Sequence, residues 1–198
     1  MNKESAMAEY ADGTGRSFYS KGAMFFHWTI AALIILNLII GFFHEGMAPA
    51  ARGFAMSVHK STGILVIALT LGRIAWRFTH RPPPLPVTVK SWEKGLAHAV
   101  HWTLYALMLA LPLTGWLMSS AGKRKNVLDF YGLFQVPYLP VAQEEAAAHT
   151  YAERHEQLAY IMLALLVLHL AGAAKHYFMD RDRTVHRMLP VLKDRSPA

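Results

Sequence analysis

The sequence contains no cysteine. This excludes disulfides, thiolate metal ligands, covalent haem attachment through a CxxCH motif and cysteine-held iron–sulfur clusters. Charge is also scarce: 17% of residues are charged, against 54% hydrophobic. The few charges are unevenly signed, with 20 Lys and Arg to 13 Asp and Glu. Such an excess need not mean nucleic acid, because a membrane protein concentrates cations on one face.

Four apolar stretches of about 20 residues, the length that crosses a bilayer, stand between charged or proline-rich segments. They run from about Ala23 to Phe43, Val58 to Phe78, Leu96 to Ser119 and His155 to Phe178. The expected fold class is all-α: an integral membrane bundle of four antiparallel helices in one domain, residues 23–178. Residues 1–22 are polar and read as a mobile N-terminal tail, and 179–198 as a basic C-terminal tail. No internal repeat is evident. The first span lacks a small-residue cleavage site after a short apolar run, so it reads as a retained anchor.

With the N-terminus, the loop from 77 to 96 and the C-terminal tail on one side, fourteen of the twenty basic residues fall there. That side is expected to be cytoplasmic, with both termini inside. The connection THRPPPLPVTVKSWEKG holds four of the ten prolines, which favours a stiff, extended path. The longest connection, Ala121 to about Arg154, carries the aromatic run VLDFYGLFQVPYLP, expected to lie on the membrane surface or to cap the bundle.

Histidine then becomes informative. His155 and His169 share the fourth span fourteen residues apart; at ~1.5 Å and ~100° per residue they are separated by ~21 Å of depth and lie within ~40° of one face. An ionisable residue inside a span is a functional hypothesis by default, and imidazoles on facing helices hold haem iron. His27 lies six residues beyond Lys21 and His169 six before Lys175, so these two match in depth at the inner end. His59 and His155, each beside a cation, match at the outer end. Two non-covalent b haems, each held by two histidines, are therefore expected, with His27, His59, His155 and His169 as the metal ligands. Bis-imidazole ligation leaves no open iron position and suits electron transfer.

Arg73 lies fourteen residues after His59, at the inner haem's depth. A haem propionate partner and snorkelling to the headgroups are both open for it. His98 and His101 share a face at the inner end of the third helix; contact with propionates or quinone and plain helix packing are both open for them. His176 is expected in the headgroup zone, and His44 faces away from His27. His80, His149 and His186 read as solvated loop residues. Met162, midway between His155 and His169, reads as filler between the cofactors, and Trp28, Trp76, Trp102 and Trp116 as interfacial anchors.

The stretches FHW at 26–28, HKSTGILV at 59–66, WRFTHRPPPLP at 76–86, WEKGLAHAVHWTLYALMLALPLTGWLMSS at 92–120, HEQLAY at 155–160 and LHLAGAAKHYFMDRD with RMLP near the end together resemble the bacterial cytochrome b561 family. The resemblance covers about residues 18–192, and the four-helix fold is shared with b-type subunits of some hydrogenases and dehydrogenases. It implies two haems b at His27, His59, His155 and His169, and electron exchange with membrane quinone. It also implies, from at least one member, superoxide oxidation at the outer face with reduction of ubiquinone. Where relatives often carry two adjacent histidines, this chain has His176 followed by Tyr177. Lys60, Lys123, Arg124, Lys125 and Arg154 form a candidate outer cationic funnel for an anion, a solvated or lipid-binding charge run being the other reading. Two functions stay open: a stand-alone quinone oxidoreductase, and a membrane-anchor cytochrome subunit that serves a hydrogenase- or dehydrogenase-type redox partner. Nucleic acid is not an expected partner.

Overall fold

Each apolar stretch is a helix, and each helix outruns its stretch. In the computed structural model, which describes residues 18–84, 89–123 and 128–192, α1 spans Lys21–Phe43, α2 Pro49–Thr79, α3 Ser91–Ala121 and α4 Glu145–Ala174. All four are long and apolar enough to cross a membrane. Lys3, Arg16, Arg124, Lys125, Lys193 and Arg195 lie outside the described residues.

The helix ends follow local chemistry. The Ser20 hydroxyl caps α1 by accepting from the Ala23 N–H at 3.3 Å, and Pro49, with no N–H to leave unpaired, begins α2. That start lies nine residues before the apolar run, so His59 sits well inside α2 instead of at its mouth. At α3 the Glu93 carboxylate accepts from the Lys90 N–H at 3.1 Å and also receives the Lys175 ammonium at 3.0 Å, which ties the start of α3 to the end of α4. Beyond Ala174 the helix widens into a π-type turn over Lys175–Asp180 and stops at Arg181, whose φ is 52°.

Backbones pack closely in chain order: α1 on α2, α2 on α3, α3 on α4. Among the described elements α4 has no comparable approach to α1 or α2, so those gaps are crossed by side chains. The core lies at mid-depth, where Ile30 of α1, Val66 of α2, Leu107 and Met108 of α3 and Met162 of α4 meet. Met162 is 1% exposed. Outside, Phe25, Ile39, Phe43 and Phe78 are exposed, as lipid-facing side chains are.

The long connection caps one end. Asp129–Phe130 pairs antiparallel with Phe134–Gln135 across residues 131–133, where Tyr131 and Gly132 both have positive φ. The hairpin is pinned to α2: Ser61 Oγ donates to the Asp129 carbonyl at 2.7 Å, and Tyr131 Oη lies 2.6 Å from Thr62 Oγ1. Ser120 of α3 accepts from the Leu139 N–H at 3.0 Å, and Trp116 Nε1 donates to the Pro137 carbonyl at 3.0 Å.

The opposite end is closed by residues 18–20 and 181–192, segments assigned above to tails. Tyr19 N donates to the Arg187 carbonyl at 3.3 Å, Trp28 Nε1 to the Met188 carbonyl at 3.1 Å, and the buried Arg187 side chain to the Pro84 carbonyl at 2.6 Å. Asp182 is buried here. Burial alone would raise its carboxyl, but hydrogen bonds from His176 and Thr184 outweigh that and hold it below its ordinary value. Both described ends of the chain therefore lie at the same end of the bundle.

Candidate functional site

The two gaps around α4 are bridged by the histidines matched by depth. The His27 and His169 rings cross from α1 to α4 with centroids 6.2 Å apart; the His59 and His155 rings cross from α2 to α4 at 6.1 Å. With metal–imidazole bonds of about 2.0–2.1 Å, two imidazoles on opposite sides of one metal atom have centroids roughly 6 Å apart. The spacing of both pairs fits a shared iron atom.

In the outer pair each Nδ1 is held by a backbone carbonyl. His155 Nδ1 lies 2.9 Å from the Leu111 carbonyl, and His59 Nδ1 3.2 Å from the Asn37 carbonyl. A carbonyl only accepts, so each Nδ1 carries the proton and each Nε2 keeps its lone pair for a metal. Asn37 clasps His59 twice, since its side-chain Nδ2 also donates to the His59 carbonyl at 3.1 Å. Glycine matters for the closer approach of His155; at His59 a Cβ would make an ordinary contact. A Cβ at Gly115 would stand 3.1 Å from the His155 ring, and one at Gly41 3.5 Å from the His59 ring. Each glycine lies four residues after the carbonyl that holds the ring, Asn37 before Gly41 and Leu111 before Gly115, and at His155 that one turn supplies both acceptor and clearance.

At the inner pair, the Arg73 guanidinium lies 3.1 Å from His27 Nδ1 and 5.1 Å from the centre of the Tyr105 ring. It stays at the depth of the pair and does not snorkel outward. A guanidinium only donates, so this contact makes Nδ1 the acceptor. Were His27 to hold a metal through Nε2, its Nδ1 would carry the proton and Arg73 would be free for another acceptor. His101 joins this cluster, its ring centroid 5.3 Å from that of His169. His98 does not: it is exposed and bonds the Lys94 carbonyl of its own helix at 2.6 Å.

The remaining histidines separate by environment. His44 bonds the Gly41 carbonyl at 2.8 Å, and His176 bonds Asp182 at 2.7 Å. His149 is exposed, 3.5 Å from Glu153. His80 and His186 are only partly solvated. His80 stacks on Trp76 with ring centroids 4.0 Å apart, and His186 meets Phe18 edge-on at 5.5 Å. Sequence reasoning missed Asn37, Gly41, Leu111 and Gly115. The only one with a sequence signal was Asn37, a lone amide in an otherwise apolar span.

A bundle of four helices, each long and apolar enough to cross a membrane, in which paired histidines join α4 to α1 and to α2, is a multi-pass membrane protein of b-type cytochrome design. The model of the prokaryotic cytochrome b561 family matches residues 18–191, and the chain belongs to that family. Membership implies b-type haem and electron transfer. Among its relatives, cytochrome b561 homolog 2 of Escherichia coli (strain K12) is 32% identical over 83% of this chain and 87% of its own. The probable superoxide oxidase CybB of Yersinia pestis is 28% identical over 83% of this chain and 91% of its own. A probable Ni/Fe-hydrogenase B-type cytochrome subunit of Azotobacter vinelandii is 30% identical, but over only 44% of this chain and 42% of its own.

Proposed function

We propose that this protein is a stand-alone dihaem oxidoreductase of the bacterial inner membrane that takes electrons from superoxide at its outer face and delivers them to ubiquinone. The observation that carries the dihaem reading is the pair of ring spacings, 6.2 and 6.1 Å, at two depths of one helix. Bound haem supplies a one-electron iron couple at each depth. The chain's own residues do the rest. His27 and His169 would hold the inner group, and His59 and His155 the outer, the latter two fixed in tautomer by the Asn37 and Leu111 carbonyls. Arg73 would neutralise a carboxylate of the inner group, with His101 beside it. Met162 and the mid-depth core exclude water between the two sites.

The donor reading is supported by the resemblance to the probable superoxide oxidase along most of both chains, whereas the hydrogenase-type relative matches under half. Each superoxide gives up one electron and leaves as dioxygen; two electrons and two protons convert ubiquinone to ubiquinol. At the outer end Lys60 is half-buried on α2, while Lys123 and Arg154 are exposed; Arg124 and Lys125, which complete the funnel, lie outside the described residues. Neutralising Lys123, Arg124 and Lys125 together should slow superoxide oxidation and flatten the salt dependence of its rate, because steering charges act over ~10 Å at ~0.1 M salt. Haem spectra should not change. Stopped-flow rates that ignore both salt and these charges would move the assignment to the anchor-subunit reading, in which quinol reduces the haem and the same variant weakens only docking of a partner protein.

The orientation has both termini in the cytoplasm. Its support is the sharing of one bundle end by both described chain ends, together with the fourteen basic residues assigned to that side. A C-terminal reporter that works only in the cytoplasm is the expected result, and periplasmic activity would invert the model.

A further inference from the structure

At the inner end of the bundle an open cleft of about 400 Å³, counting the part that faces solvent, lies between the start of α1, the end of α2 and α3. Arg73, Arg77 and Arg81 line it together with Tyr19, Ser20 and Tyr105. Among the described residues, none that lines it is acidic. Arg73 and Arg77 are one helical turn apart on α2, where like charges repel. Arg81 follows two residues after the helix ends at Thr79. Trp76, stacked on His80 and donating from Nε1 to Ser20 Oγ at 3.0 Å, forms a rigid wall. A ligand with negative charge would relieve that repulsion, and guanidinium forks with tyrosine hydroxyls suit phosphate oxygens.

We propose that this cleft binds the phosphodiester headgroup of an acidic phospholipid. Its position favours a lipid over a free anion: α2 leaves the bundle here, and Phe78, next to Arg77, is 83% exposed where an acyl chain would run. Basic pockets between membrane helices are suited to such headgroups. The site stands on Arg77, Arg81 and Tyr19, so it does not depend on the haem assignment of Arg73.

The test is native mass spectrometry of the haem-loaded protein offered phosphatidylglycerol or phosphatidylcholine. Wild-type protein should retain one phosphatidylglycerol in preference to phosphatidylcholine. In Arg77→Gln/Arg81→Gln that retention should fall roughly tenfold to thirtyfold, as two basic contacts near the membrane surface imply, with haem absorbance and midpoint potentials unchanged. Equal retention of both lipids, or undiminished phosphatidylglycerol on the variant, overturns the proposal. So does displacement of the lipid by millimolar inorganic phosphate, which would mark a free-anion site. A shifted haem potential without lipid loss overturns it too, since the arginines would then serve the inner cofactor. If the double variant loses its haem spectrum, Arg81→Gln, outside α2, gives the same reading on a folded bundle.

Discussion

Replacing His155 with alanine is expected to remove about one of two haems and leave the other low-spin. His59→Ala should remove the same one, and His27→Ala and His169→Ala the other. The reasoning is geometric. Each pair spans a gap where the helix backbones stand well apart, so removing one ring would leave the group with a single ligand and a widened helix-to-helix space. Haem content measured after extraction should fall by about half, and a redox titration should lose one of two steps, the lost step being shared within a pair. His101→Ala is expected to retain both, because its ring, 5.3 Å from that of His169, is nearer than two trans ligands of one metal stand. Two intact low-spin haems in His155→Ala or His59→Ala would remove the outer assignment; in His27→Ala they would transfer the inner ligand role to His101.

The second large effect needs no ligand to be touched. Gly115→Val places methyl groups where the His155 ring stands, since even a bare Cβ would lie 3.1 Å from that ring. The outer haem should be lost or turn high-spin in most molecules while the inner one remains. Gly115→Ala decides the cause. In a helix interior alanine is more favourable than glycine by about 1 kcal/mol, so a glycine present without reason would yield a more stable protein with an unchanged spectrum. The close contact predicts the opposite: a weakened outer haem signal and no gain in melting temperature. Gly172→Ala is the control, for its Cβ would meet nothing within 4 Å, and it should be neutral or stabilising. An unaltered outer haem in Gly115→Val would show that the ring has room to move and that its position is not set by this glycine.

The histidine pairing was legible in the sequence because depth along a membrane helix is nearly linear in residue number. His27, His59, His155 and His169 could be ranked by their distance from flanking charges without knowing how the helices pack. The rise per residue is a backbone property and survives any packing. Arg73 was placed at the right depth for the same reason, while its contact with His27 Nδ1 depends on which way two helices face each other. The carbonyls of Asn37 and Leu111 were invisible because every residue has one, and their use depends on a partner helix. The ends were harder still. Phe18 against His186 and Arg187 against Pro84 join residues more than 100 positions apart, and polar, proline-bearing segments that read as tails gain order only from those long-range contacts. The helix starts at Pro49 and Glu145 were missed because hydropathy marks the lipid, whereas helices continue into the headgroups wherever capping and propensity allow.

Because α4 lends one imidazole to each pair, it behaves as a common shaft with two cranks ~21 Å apart. A twist or slide of that shaft disturbs both centres at once, so a mutation on α4 that improves one is liable to spoil the other. Heritable adjustment of a single centre is freer on α1 for the inner one and on α2 for the outer. Lineages that shift this chain between electron donors should therefore accumulate their changes around His27 and His59, leaving the stretch from His155 to His169 the slowest to diverge.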